Sequence, residues 1–201
     1  RWVAVNWFFT LRYVKNKYRQ SILEQRKALS IQEQLDLSSK IQEKFFSFFP
    51  WKNIQVLGAY MPINNEVNLE SLFQDRANEN LITTVPMIAE NDSMQLITLD
   101  FEKKLALNKF NIPEPLDGEV IEVAQHDLII VPALGVDRYG FRLGYGGGYY
   151  DKFLMPIMKS KRRPKIIGLL YDFQFINTEI SERHDIRFDF VFSETNIKNF
   201  T

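Results

Sequence analysis

The 201-residue chain contains no cysteine, which excludes disulfides, thiolate metal ligands and thiol nucleophiles and makes a reducing cytoplasm the expected compartment. Histidine is nearly as scarce. Only His126 and His184 are present, too few for the multi-histidine centres of metal-dependent phosphohydrolases, so the His184-Asp185 pair is not read that way. Neither sign of charge is in excess, with 25 Lys+Arg against 25 Asp+Glu, so no overall field gathers nucleic acid or an anionic membrane. The basic stretch from Lys159 to Lys165 lacks an aromatic RNA-binding signature, and no nucleic-acid partner is expected. No run approaches the ~20 apolar residues that span a bilayer, so no membrane partner is expected either. The N-terminal RWVAVNWFFTLRYV is interrupted by Asn6 and has no small-residue cleavage site before Lys15 and Lys17, unlike a secretion signal. Low-complexity tracts and internal repeats are also missing.

What is present is the composition of one globular unit spanning 1–201, 45% hydrophobic with 17 phenylalanines, long enough to bury a core without a covalent staple. Leu11, Val14, Tyr18, Ile22 and Leu29 form one stripe of a helix. Ser30 and Glu33 have the form of a capping box opening a second helix, with Leu35, Ser38, Ile41, Phe45 and Phe48 inward, until Pro50. Beyond Pro50 come short apolar runs expected as strands: Ile54 to Tyr60, Leu81 to Pro86, Met94 to Thr98, Leu128 to Pro132, Lys165 to Leu170 and Phe188 to Phe192. Helical patterns at Asn68 to Glu79 and Gly148 to Lys159 supply crossovers. The fold class is therefore α/β, a three-layer sandwich with a mostly parallel sheet and helices on both faces. Ligands of such sheets bind at the carboxyl ends of strands, which directs attention to the loops after Tyr60, Pro86 and Pro132.

Six of the nine glycines fall between Gly135 and Gly148, after the strand LIIVP. Bare amides ahead of a helix cradle phosphate. The segment is neither a P-loop, since no Lys-Ser or Lys-Thr follows, nor a dinucleotide fingerprint, since Gly144, Gly146, Gly147 and Gly148 are too crowded. Tyr145, Tyr149 and Tyr150 can stack on a planar heterocycle, so a nucleotide meeting a flat ring is expected. Arg142 can clamp a phosphate bidentately, and Asp151 can hold Mg²⁺ carried on a nucleotide. His126 is read as a surface residue before a strand, and His184 as a loop residue orienting Asp185.

The segment LIIVPALGVDRYGFRLGYGGGYYDKFL resembles the signature of the 5-formyltetrahydrofolate cyclo-ligase family. The likeness extends from Lys15 and Arg19 through YMPINNEV (Tyr60 to Val67) and IPEP (Ile112 to Pro115) to HDIRFD (His184 to Asp189). The resemblance implies a ligase that uses Mg²⁺ and ATP to close a reduced folate, 5-formyltetrahydrofolate, into 5,10-methenyltetrahydrofolate, releasing ADP and phosphate. It implies ATP contacts from Lys15, Asn16, Lys17, Tyr18 and Arg19, and from Arg142, Leu143, Gly144, Tyr145, Gly146, Gly147, Gly148, Tyr149 and Tyr150. Substrate contacts are implied for Met61, Glu66, Tyr145, Gly146, Gly147, Gly148 and Tyr149, metal contacts for Asp151 and Asp185, and catalytic roles for Arg142, Tyr149 and Asp151. A cytoplasmic monomer is expected. Three departures stand out: Tyr145 and Gly147 fill places where the family often has a basic residue, Ile180 stands where proline is common, and residues 1–12 extend beyond the usual start. A catalytically silent relative that binds folate or nucleotide is the alternative, and the joint presence of Lys15, Arg19, Arg142 and Asp151 favours catalysis over it.

Overall fold

The computed structural model describes residues 2–89, 93–182 and 185–201, and their side chains except those of 2–9 and 51. Among the described residues there are four α-helices: α1 (Trp2–Ala28), α2 (Ile31–Phe48), α3 (Glu70–Asn78) and α4 (Tyr149–Leu154). The break between α1 and α2 lies where the capping box places it. Ser30 accepts from the Glu33 amide, and Glu33 in return accepts from the Ser30 amide at 2.8 Å, so two donors that a helix start leaves bare are satisfied. Of the expected inner face of α2, Ser38, Ile41 and Phe45 are buried, whereas Leu35 and Phe48 lie toward solvent; the buried stripe is narrower and includes Gln42. Residues 2–12, which include most of the segment expected to extend beyond the usual start, belong to α1, which runs without interruption from Trp2.

The strands are β1 (Val56–Gly58), β2 (Ile82–Ile88), β3 (Met94–Thr98), β4 (Leu105–Leu107), β5 (Pro113–Pro115), β6 (Leu128–Ile130), β7 (Gly135–Asp137), β8 (Arg142–Leu143), β9 (Lys165–Leu169), β10 (Phe175–Ile176), β11 (Phe190–Phe192) and β12 (Ile197–Asn199). Seven of them form one sheet in the order β12-β11-β9-β6-β1-β2-β3. Its five inner strands are mutually parallel and both outermost strands antiparallel, the mostly parallel sheet expected. Along the outer side of β3 the 118–121 segment adds an isolated bridge, Ile97 to Val120.

Burial alternates along the inner strands as the pleat requires. Leu128, Ile130, Ile167, Leu169 and Phe192 pack with Ile41 and Phe45 of α2 and Leu72 and Phe73 of α3. Ile129, Ile166 and Val191 point the other way, toward Leu154 of α4 and Phe188. Helices thus cover both faces, although the second is closed more by loops than by the six-residue α4. The expected helix at Gly148 to Lys159 is shorter, giving way at Met155 to a 3-10 turn with Pro156. A separate three-stranded sheet, β10-β7-β8, supports α1 through Leu11, Ile22, Leu134, Leu143 and Ile176. β4 and β5 form a two-stranded hairpin apart from both sheets.

The chain leaves β1, forms β2 on one side, then returns to place β6, β9 and β11 on the other. Between β1 and β6 the winding reverses, and the carboxyl ends of those strands diverge into a crevice. The loops after Tyr60 and Pro132 border it.

Candidate active site

Glu66 reaches the crevice by a tight fold of the segment following β1. Asn64 and Asn65 adopt left-handed backbone, with φ of 49° and 54°, a conformation that asparagine tolerates better than most residues. The turn lets the Ile63 amide donate to Glu66 Oε2 at 3.0 Å, while Asn65 Nδ2 donates to the Arg26 carbonyl at 2.8 Å and ties the turn to α1. Glu66 is 5% exposed. Its Oε1 accepts from the Tyr145 hydroxyl at 2.9 Å and lies 3.4 Å from Arg26 Nη1. Burial pushes the Glu66 carboxyl above the usual range, and Arg26, the Ile63 amide and Tyr145 pull it back.

Across the crevice, β7 and β8 form a hairpin that aims Arg142. Arg142 Nη1 donates to the Pro132 carbonyl at 3.1 Å, and Nη2 donates to Asp151 Oδ2 at 2.5 Å. Asp151 Oδ1 accepts the Ile186 amide at 3.2 Å. The guanidinium lies 5.7 Å from the centre of the Tyr150 ring. It folds back over the loop only because Gly144 is bare: a Cβ there would stand 2.7 Å from Nη1. Gly146 and Gly148 have φ of 106° and 68°, where side chains are strained. Gly148 is the N-cap of α4. Because that helix is short, a phosphate held here depends on the bare amides of Gly146, Gly147 and Gly148 more than on a helix dipole.

The five-residue basic segment of α1 divides by helical phase. Lys15 and Arg19, four apart, share the inner face. Lys15 is 6% exposed and donates to Glu182 Oε2 at 2.6 Å and Asp185 Oδ2 at 2.7 Å. Arg19 Nε donates to the Gly144 carbonyl at 2.8 Å, and its Nη1 donates to Asn16 Oδ1. Tyr18 is directed at Thr178. Lys17 lies over the exposed ring of Tyr13, away from the glycine loop. His184 lies outside the described residues. His126 is buried rather than at the surface: its Nε2 shares a 2.8 Å hydrogen bond with Thr84 Oγ1, and Nδ1 one of 3.0 Å with the Glu122 carbonyl.

Glu66, Met61, Arg142, Tyr145, Gly147, Gly148, Tyr149 and Tyr150 line one cavity of about 330 Å³, with Tyr60 and Pro132 at its floor. Its far wall is the hairpin β4-β5 with β2. There Phe110 meets the edge of Tyr149, ring centres 5.6 Å apart, and Glu114 Oε1 accepts the Ile88 amide. The Tyr150 hydroxyl is buried with no partner among the described residues, and burial lifts its pKa above that of an ordinary phenol. Phe110, Asn108 and Glu114 on the cavity wall and Arg26 behind it stand outside the site residues expected from the sequence. IPEP marked the hairpin without giving it a role, and Arg26 left a signal in its position on the buried stripe of α1, four residues after Ile22.

Among the described residues, no group of three or more His, Asp or Glu side chains is arranged to hold a metal. Asp151, paired with Arg142, and Asp185, paired with Lys15, are nevertheless oxygen ligands of the kind magnesium takes. On a nucleotide that ion needs only one or two carboxylates besides phosphate and water. The donor set fits an ion that arrives with a triphosphate and does not fit a closed protein cage.

The family model for the 5-formyltetrahydrofolate cyclo-ligase family matches residues 12–194. A 5-formyltetrahydrofolate cyclo-ligase of Mycoplasma pneumoniae is 32% identical over 181 residues, 90% of this chain and 98% of that protein. The mouse protein of the same name is 27% identical, covering 92% of this chain and 96% of its own. The solution structure of Aquifex aeolicus 5,10-methenyltetrahydrofolate synthetase superposes with a TM-score of 0.80 at 30% identity, over 93% of each chain.

Proposed function

Because this chain belongs to the 5-formyltetrahydrofolate cyclo-ligase family, we propose that its cavity holds ATP and 5-formyltetrahydrofolate side by side, with the glycine-tyrosine loop between them. The chain is an enzyme, and the reaction is closure of 5-formyltetrahydrofolate to 5,10-methenyltetrahydrofolate. ATP is the co-substrate. One observation supports the arrangement above the others: Arg142, Gly147 and Gly148, suited to phosphate, line the same cavity as Glu66, suited to the N–H edge of a pterin.

The chemistry assigns parts to these residues. A formamide oxygen is a poor leaving group. Attack by that oxygen on the γ-phosphorus releases ADP and leaves a phosphorylated formyl group. The neighbouring folate amine then attacks the activated carbon, loses its proton and expels phosphate, closing the ring. Catalysis of such transfer is positioning and charge neutralisation. Gly146, Gly147 and Gly148 offer amides to the triphosphate, Arg142 neutralises its developing charge, and Lys15 and Arg19 reach it from α1. Met61, Tyr145 and Tyr149 pack on the folate, with Glu66 accepting from it. Magnesium, bound with the nucleotide, would be held by Asp151 and Asp185 and would supply charge neutralisation at the phosphates. Within the described residues no helix is long and apolar enough to cross a membrane; a cytoplasmic monomer acting on small molecules, without nucleic acid, is the form proposed, supported by the cysteine-free composition.

The test is direct. Protein mixed with 5-formyltetrahydrofolate, Mg²⁺ and ATP should generate the absorbance of the methenyl product and one ADP per product. Normal ATP binding without product would defeat this assignment.

A finer outcome concerns Gly144→Ala. The added methyl needs the space that Arg142 occupies, and the guanidinium has no slack, being tied to Pro132 and Asp151. An ångström of displacement in a positioned group can cost about a hundredfold in rate. kcat should fall by roughly that factor with little change in the folate KM. A variant with unaltered kcat would show that Arg142 does not act from the position seen.

A further inference from the structure

Arg26 is wholly buried in α1, lines no part of the cavity, and has no role in the reaction as derived above. A buried guanidinium is costly unless paired and hydrogen-bonded, so its partners indicate what it is for. Nη2 donates to the Ala133 carbonyl at 3.2 Å. Nη1 donates to the Tyr145 hydroxyl at 3.1 Å and stands 3.4 Å from Glu66 Oε1. The Tyr145 hydroxyl in turn donates to that same oxygen. Cation, phenol and carboxylate therefore close a three-membered cluster. Arg26 Nε has no partner among the described residues, so the side chain leaves one donor unsatisfied in order to place its tip.

We propose that Arg26 is a positioning residue for folate: from behind the cavity wall its guanidinium keeps Glu66 an anion and locks Tyr145 against it, so that the carboxylate is presented as an acceptor. This rests on the reading of Glu66 as the folate-binding carboxylate. The groups facing Glu66 are Tyr60 at the end of β1, Tyr145 on the glycine loop, Tyr150 on α4, Tyr171 after β9 and Arg26 on α1. Burial pushes all four phenols above their usual values, so they remain neutral near pH 7 and Arg26 is the single cation among them. Burial alone raises the Glu66 carboxyl, and Arg26 is the largest opposing influence. Without Arg26 the largest opposing influence is gone and the carboxyl rises further, so its anionic form is reached only at higher pH than in the unsubstituted protein.

The experiment compares Arg26→Met, Arg26→Lys and Glu66→Gln, measuring KM for 5-formyltetrahydrofolate and for ATP between about pH 6 and pH 9. Arg26→Met is expected to raise the folate KM about tenfold or more near pH 6 and to recover most of it by about pH 9, with the ATP KM within about twofold throughout. Arg26→Lys, which keeps the charge and loses the fork, should show a smaller rise and a flatter profile. A folate KM for Arg26→Met that matches the unsubstituted enzyme, or that rises equally with the ATP KM at every pH, overturns the proposal. An unchanged folate KM in Glu66→Gln overturns the reading beneath it as well, which separates the two failures. Should Arg26→Met not fold, carbon-13 NMR of the unsubstituted protein decides, with the Glu66 carboxyl assigned by its loss in Glu66→Gln. Titration complete below about pH 6 supports the proposal, and a carboxyl still protonated at about pH 7 overturns it.

Discussion

Asp151→Asn should lower turnover about a thousandfold, the upper range for loss of one preorganised charge at a reacting centre, and should leave the fold intact. Asparagine has the same shape and keeps an oxygen for either Arg142 or the Ile186 amide, both of which Asp151 now serves. What it loses is the negative charge. That charge sets the guanidinium of Arg142, 6% exposed, and is one of the two proposed for magnesium. The alanine variant is a poorer probe, because it leaves Arg142 buried without a carboxylate at a cost on the order of 3 kcal/mol. Methenyl absorbance gives kcat, and calorimetry gives Tm. Near-normal turnover accompanied by a large fall in Tm would make Asp151 a structural residue.

The largest loss of stability from a single added methyl is expected at Gly140, in the turn joining β7 to β8. Its φ is 89° and a Cβ there would lie 2.5 Å from the Phe200 ring. The turn is closed from the other side by Asp137, whose Oδ1 accepts the amides of Tyr139 and Phe141, both at 2.9 Å. Gly140→Ala must therefore strain the backbone or expel Phe200 from its packing against the second core. The two effects together amount to about 2–4 kcal/mol. For a chain of this size that is a fall in Tm of roughly 4–16 °C, readable by calorimetry. The kinetic constants of the surviving folded enzyme at room temperature should differ by less than about twofold. A Tm within about a degree of the parent would mean that Phe200 does not pack where it is seen.

The parts of this structure legible in the sequence are those where local and tertiary preferences agree. Ser30 and Glu33 announced the α1–α2 junction because a capping box is satisfied by neighbours three residues apart. The inner strands were readable because Leu128 to Ile130 and Ile166 to Leu169 are buried on both sides and so form continuous apolar runs. The hairpin Leu105 to Pro115 was not, because Leu105 and Leu107 are exposed, β5 carries two prolines, and no alternation marks a core face. The site divided in the same way. Gly144 to Tyr150 is contiguous, and its chemistry can be read along the chain. Arg26 meets Glu66 and Tyr145 from 40 and 119 residues away (66 − 26 and 145 − 26), and no local pattern records that meeting. A single cation at a core position of an amphipathic stripe was the available sign, and Lys15, also buried in α1, carries it too. His126 was misplaced because its two partners, Thr84 and the Glu122 carbonyl, make burial affordable only in three dimensions.

The main sheet has two borders, and each denies a docking rail to a foreign strand. On the β3 side the backbone of 118–121 already occupies it: the Thr98 amide donates to the Glu119 carbonyl, and the Ile121 amide donates to Leu96. On the β12 side the border is three residues long and exposed throughout, with Lys198 at its centre. Brevity and a lysine are the usual deterrents to edge-to-edge aggregation. An α/β sheet that presents its crevice to small molecules is in this way kept from zipping onto other chains at its margins.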